Sequence, residues 1–169
     1  MTYTTFSSGS GIASSPMNNN FLAARKIQEV YTGTGFDSSG TGTGEYEMTA
    51  ITAANLGSAD YLIIKATVYT RGDNDDADGG SAFLTFQTKE TGSGYLDSMA
   101  EQTVWSNAGA QVGHGTQDLK STRTVEWVHT LTSGEKTNGV QVKIKGRTSI
   151  SGTASAELTN VQTFTETSS

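Results

Sequence analysis

The longest apolar run, YLIIKATVYTR from Tyr61 to Arg71, alternates: Leu62, Ile64, Ala66 and Val68 share one face of an extended chain. Tyr61, Ile63, Lys65, Thr67 and Tyr69 share the other. A two-residue period built from β-branched and aromatic side chains predicts a strand with the first set in the core. Lys65 and Thr67 admit water on the second face, whereas Ile63 and the two tyrosines call for partial cover by a loop, a second chain or the N-terminal segment. This run is the predicted centre of a sheet.

The same pattern recurs on both sides. KIQEVYTG from Lys26 predicts a first strand, and a Gly, Ser and Thr loop from Gly33 to Gly44 leads to EYEMTAIT, where Tyr46, Met48 and Ala50 oppose Glu45, Glu47 and Thr49. After a connection from Ala53 to Asp60 and the central run, the polar loop GDNDDADGG precedes SAFLTFQTKE, in which Leu84 and Phe86 share a face. The stretch from Thr91 to Thr122 is the least regular. It contains a predicted strand at Glu101 to Trp105 and a Gly-rich loop of the length that often serves interfaces or function.

Three strong strands close the chain. TRTVEWVHTL groups Val125, Trp127, His129 and Leu131, and the Asn138-Gly139 dipeptide in SGEKTNG predicts a hairpin turn into VQVKIKGRTSI. SAELTNVQTFTET carries Leu158, Val161 and Phe164 with a change of phase near Asn160, the signature of a bulge. About eight strands and no long helix predict an all-β antiparallel sandwich of jelly-roll type, with an immunoglobulin-like sandwich as the near alternative.

The first 20 residues, rich in Ser, Gly and Asn with isolated Phe6, Ile12 and Met17, have linker composition with anchor points, which fits either a disordered terminus or an arm that orders against a neighbouring subunit. Asn20 is placed to cap a helical turn through Phe21, Leu22, Ala23 and Ala24. The expected organisation is an extended N-terminal arm over residues 1–25 and one sandwich domain over 26–169, a size that buries a real core.

Composition narrows the function. A net charge of −6 with eleven scattered Lys and Arg argues against a nucleic-acid groove. No apolar run approaches the roughly 18 residues of a membrane span, so neither nucleic acid nor membrane is an expected partner. The N-terminus also lacks the basic head and apolar stretch of a signal peptide. Cysteine is absent, which removes disulfides and thiolate metal sites, and a single proline leaves the turns to 20 glycines and to Asn, Asp and Ser.

Candidate chemistry is thin. Asn74, Asp76 and Asp78 followed by Gly79 match the first half of a calcium loop, but the position that should supply the closing bidentate carboxylate is Thr85, inside the next predicted strand. The plainer reading of loop 73–79 is a solvated acidic hairpin tip. His129 is in phase with Trp127 and reads as a hydrogen-bonded packing residue, and His114 lies between glycines. No Ser occupies a nucleophile elbow. Glu45 and Glu47, about 7 Å apart on one strand face, read as charge that keeps an outer surface soluble. The expected site inventory is therefore no catalytic residue, no cofactor and no metal, and the chain is not expected to be an enzyme. Arg71-Gly72-Asp73 recurs too readily by chance to carry weight.

The polar segment ending in SPMNNNFLAARK, the Gly- and Thr-rich β-domain poor in Pro and without Cys, and the closing VKIKGRTSISGTASAELTNVQTFTET together resemble small structural proteins of tailed bacteriophages and related viruses. The resemblance implies a capsid decoration, head-fibre or tail-associated protein of the virion, assembled in the host cytoplasm. It also implies contacts with other virion proteins through the N-terminal arm and a homo-oligomer such as a trimer. A second expectation, a carbohydrate- or receptor-binding module, rests on Tyr95, Trp105, the acidic loop and the Gln111 to Lys120 loop.

Overall fold

The computed structural model describes residues 25–36, 43–72, 80–97, 99–107, 119–150 and 155–168. Their strands are β1 (Arg25–Gly35), β2 (Thr43–Glu47), β3 (Tyr61–Gly72), β4 (Gly80–Glu90), β5 (Leu96–Asp97), β6 (Gln102–Asn107), β7 (Leu119–Thr130), β8 (Val140–Ile150) and β9 (Ser155–Glu166). Two short helices, α1 (Ala53–Leu56) and α2 (Ser133–Asn138), lie in connections. The last residue of the segment read as an arm, Arg25, is the first of β1, and residues 1–24, with the helical turn expected at Phe21 to Ala24, lie outside the described residues.

All strand pairs are antiparallel. One sheet has the order β1-β9-β3-β7; in the other, β2-β8-β4 is completed by β5 and β6, which share the free side of β4. With β5 and β6 taken as one interrupted edge, the chain passes back and forth between the sheets and sets first beside last. That order is the jelly-roll wiring expected from the strand pattern.

The predicted central run forms β3, paired along one side with β7 and along the other with β9. Leu62, Ile64, Ala66 and Val68 are fully buried. They meet Leu84 and Phe86 of β4 and Val140, Val142 and Ile144 of β8 in one cluster with Leu158 and Val161 of β9. On the outer face of β3, Ile63 is nearly buried and stands between its cross-strand neighbours Phe164 and Val128.

The phase change predicted near Asn160 is a bulge. Thr67 faces Asn160 but Val68 faces Leu158, so Thr159 is the extra residue, and its hydroxyl donates to the Thr67 carbonyl at 3.1 Å. Both Leu158 and Val161 thereby reach the core.

The hairpin expected at Asn138-Gly139 does not form. β7 and β8 belong to different sheets, and residues 133–138 make α2 as the crossover. A capping box starts this helix: the Thr132 hydroxyl accepts from the Glu135 N–H at 3.2 Å, and Glu135 accepts from the Thr132 N–H at 2.8 Å. Gly139 ends it at φ +90°, donating to the Glu135 carbonyl. The dipeptide supplied the left-handed residue that a hairpin needs, and the fold used it as a helix stop.

Candidate functional site

The outer face of the second sheet carries a connected set of charged and aromatic side chains. Alternation on β8 points Lys143, Lys145 and Arg147 outward, and antiparallel pairing sets Glu47, Glu45 and Thr43 of β2 on one side of them and Gln87, Thr85 and Phe83 of β4 on the other. Lys143 Nζ lies 3.2 Å from Glu45 and 3.9 Å from Glu47, Lys145 lies 3.5 Å from Glu45, and Lys89 lies 3.8 Å from Glu47.

Arg147 donates to both carboxylate oxygens of Glu101 through Nε and Nη2, and its guanidinium sits 4.0 Å from the centroid of the Phe83 ring. The Tyr95 ring rests against two ammonium groups, Lys89 at 4.3 Å and Lys143 at 4.4 Å. Thr43, Glu45, Thr85, Glu101, Lys145 and Arg147 line an open depression of ≈ 240 Å³.

These contacts set the ionisation. The Lys143 bond holds the Glu45 carboxyl below its usual range, and Arg147 does the same to Glu101 while its own pKa is raised in return. Burial, then the neighbouring Glu47 carboxylate, pushes the Tyr95 phenol up.

A second polar group lies inside one end of the sandwich. His129 Nε2 is 2.9 Å from each carboxylate oxygen of the buried Glu135 and 3.4 Å from the Thr88 hydroxyl. Trp127 stacks on Phe86 with centroids 6.2 Å apart and tilts over His129 at 4.9 Å. Burial works against the Glu135 charge, but the His129 and Thr132 hydrogen bonds outweigh it and hold the carboxyl below the ordinary value.

A third group ties the C-terminal end down. Asp60 accepts from Lys136 of α2 at 2.6 Å and from the N–H and hydroxyl of Ser168, contacts that keep its carboxyl strongly acidic. On the outer face of the first sheet, Lys26, then Gln162 and Asn160, lower Glu29 to about 2.

The residues singled out in the sequence scatter. His129 takes the packing role expected of it. Thr85 is part of β4, as the calcium comparison required, while loop 73–79, His114 and residues 111–118 lie outside the described residues. Trp127 faces inward, Tyr95 sits on the charged face, and Trp105 belongs to β6. Glu45 and Glu47 are locked to lysines.

The sequence pattern does not single out Glu135, Glu101 or Arg147 as site residues. The T-x-x-E spacing of Thr132 and Glu135 was a readable capping signal. Nothing local links Glu101 to Arg147, 46 residues apart.

No protein-family model matches the chain, and no curated protein matches it. Solved structures overlap it loosely. A structure of infectious bursal disease virus, Gx strain, is 13% identical with a TM-score of 0.39, covering 83% of this chain, which spans 32% of that one. A xylan-binding module is 11% identical with a TM-score of 0.33 over 86% of this chain and 98% of its own. The full particle of Israeli acute paralysis virus, heated to 63 degrees, is 14% identical with a TM-score of 0.31 over 98% and 83%. Scores between 0.31 and 0.39 carry no functional argument, and the fold rests on the strand pairing of the chain itself.

Proposed function

We propose that this chain is a non-enzymatic structural protein of a virion, a capsid decoration or tail- or fibre-associated jelly roll of a bacteriophage or related virus. It docks on other virion proteins through residues 1–25 and works as a homo-oligomer assembled in the host cytoplasm. The observation that supports a structural role is electrostatic. Among the described residues, every carboxylate whose pKa is displaced is displaced downward: Glu29, Glu45, Asp60, Glu101 and Glu135. A general acid working near neutral pH needs a carboxyl raised toward 7, whereas ionised, cation-paired carboxylates serve packing and solubility.

The placement of β1 suits a docking arm. Arg25 stands at the end of an edge strand opposite Thr165, so the preceding segment joins the domain at the rim of a sheet. Deleting residues 1–20 is expected to leave the domain folded by circular dichroism and to abolish incorporation into particles. Retained incorporation would overturn the docking role.

One observation favours a carbohydrate-binding module as the second reading. The ≈ 240 Å³ depression turns the carboxylates of Glu45 and Glu101, the cations of Lys145 and Arg147 and two threonines toward one space, a donor and acceptor set suited to hydroxyls. A glycan array on the intact chain separates the readings: a decoration protein shows no glycan preference, and a module loses its preference when Arg147 is changed to Ala.

A further inference from the structure

A sheet edge offers unpaired backbone groups to any passing strand, and folded proteins blunt such edges by shortness, bulges or charge. Three edges of this sandwich are blunted. β1 is interrupted twice in register and bears the Lys26–Glu29 pair. β2 has five residues, and β6 has six with a register shift against β4.

β7 is different. Its twelve residues pair with β3 without a shift, they include no proline, and their opposite edge hydrogen-bonds to no described strand. The outer face beside this edge also carries an unfinished apolar row. Phe164, Ile63 and Val128 stand side by side on β9, β3 and β7; Ile63 is 9% exposed, whereas Val128, at the rim, is 49% exposed.

We propose that β7 is a self-association site. The β7 strands of two copies pair antiparallel across a two-fold axis centred on Val125, joining two four-stranded sheets into one. An axis perpendicular to the sheet keeps outward residues outward, so only partners of like parity meet. In this register Thr122 opposes Val128 of the second copy, a pair of β-branched side chains at the end of the apolar row. Thr124 opposes Glu126, Arg123 opposes Trp127 and Ser121 opposes His129. No charge meets its own sign, and the arginine faces an indole. Glu126, already paired with Lys65 at 2.6 Å, is left with an uncharged neighbour across the axis. Nine paired residues, 121–129, supply roughly one backbone hydrogen bond each.

The inference does not rest on the virion reading, because a failed dimer leaves docking through the arm untouched. It is tested with Thr124→Glu and Thr124→Lys in the full chain, by sedimentation and light scattering. Both variants lose the 3.0 Å contact between the Thr124 and Thr67 hydroxyls, so any common effect on folding cancels between them. The chain is expected to be a dimer. Thr124→Glu should weaken it about tenfold, since the new like-charge pair with Glu126 occurs twice across the axis, and Thr124→Lys should match or exceed the parent. A monomer at every concentration overturns the proposal, as does a closed trimer, whose three-fold axis cannot pair β7 with itself. An equal response to the two substitutions overturns it too.

Discussion

The ring of Phe36 occupies the space that a side chain at position 146 would need. A Cβ built on Gly146 overlaps the ring, and one built on Gly44 falls 2.9 Å from it. Both glycines point inward on neighbouring strands, β8 and β2, so their missing side chains leave a socket. Phe36, at the end of β1, fills it and is 1% exposed. Its N–H donates to the Ala156 carbonyl at 2.8 Å, which ties the β1 exit to β9.

Gly146→Val should therefore destabilise the domain by about 1 to 3 kcal/mol through overpacking, and Phe36→Ala by about 3 to 5 kcal/mol through the cavity it leaves. Urea unfolding of each variant and of the pair checks this. The double variant should cost less than the sum, because the valine then has room.

Glu135 gives a pH-dependent contribution of defined sign. Its folded pKa lies below the ordinary 4.5, so its stabilisation is present above about that pH and is lost as pH falls through the folded value. Glu135→Gln keeps the shape and removes the charge, and should cost about 1 to 3 kcal/mol at neutral pH. That difference from the parent should close as pH falls below 4.5. Glu29 and Asp60 are lowered in both proteins and cancel in the comparison. A gap that stays constant down to acid pH would count against the His129–Glu135 bond as its source.

Thr159 sets the phase of β9. Deleting it would force either Leu158 or Val161 from the core to the outer face, because a shift of one residue inverts every side chain beyond it. The expected result is loss of a cooperative thermal transition, whereas Thr159→Ala, which keeps the bulge, should remain folded with a small loss.

Asp60 joins three elements. Its backbone N–H donates to Glu166 and its carbonyl accepts from Leu131, while its side chain holds α2 and Ser168. Asp60→Ala keeps the backbone bonds and removes the side-chain ones. Amide exchange is expected to accelerate at Ser168, while β3 keeps its protection.

Local patterns along the chain carry the strands and their buried faces. The alternation from Leu62 to Val68 fixes a strand and its buried face, since period two admits no other regular structure with the same residues inside. The phase break before Asn160 likewise fixes a bulge, and the absence of Cys leaves the core to hold the chain. The all-β jelly-roll class followed from many such strands joined by Gly-rich turns.

Tertiary structure decided what local patterns leave degenerate. Asn138-Gly139 satisfies a hairpin and a helix stop equally well, and the assignment of β7 and β8 to opposite sheets selected the second. Glu45 and Glu47 look the same in sequence whether they line a cleft or meet lysines; cross-strand register brought Lys143 and Lys145 beside them. Phe36, isolated at the edge of a polar loop, gave no periodic signal, and its burial depends on two glycines contributed by other strands. The lysines that meet Glu45 and Glu47 and the Gly146 that makes room for Phe36 lie about a hundred residues away along the chain, so those contacts exist only once the strands have paired and the sheets have come together.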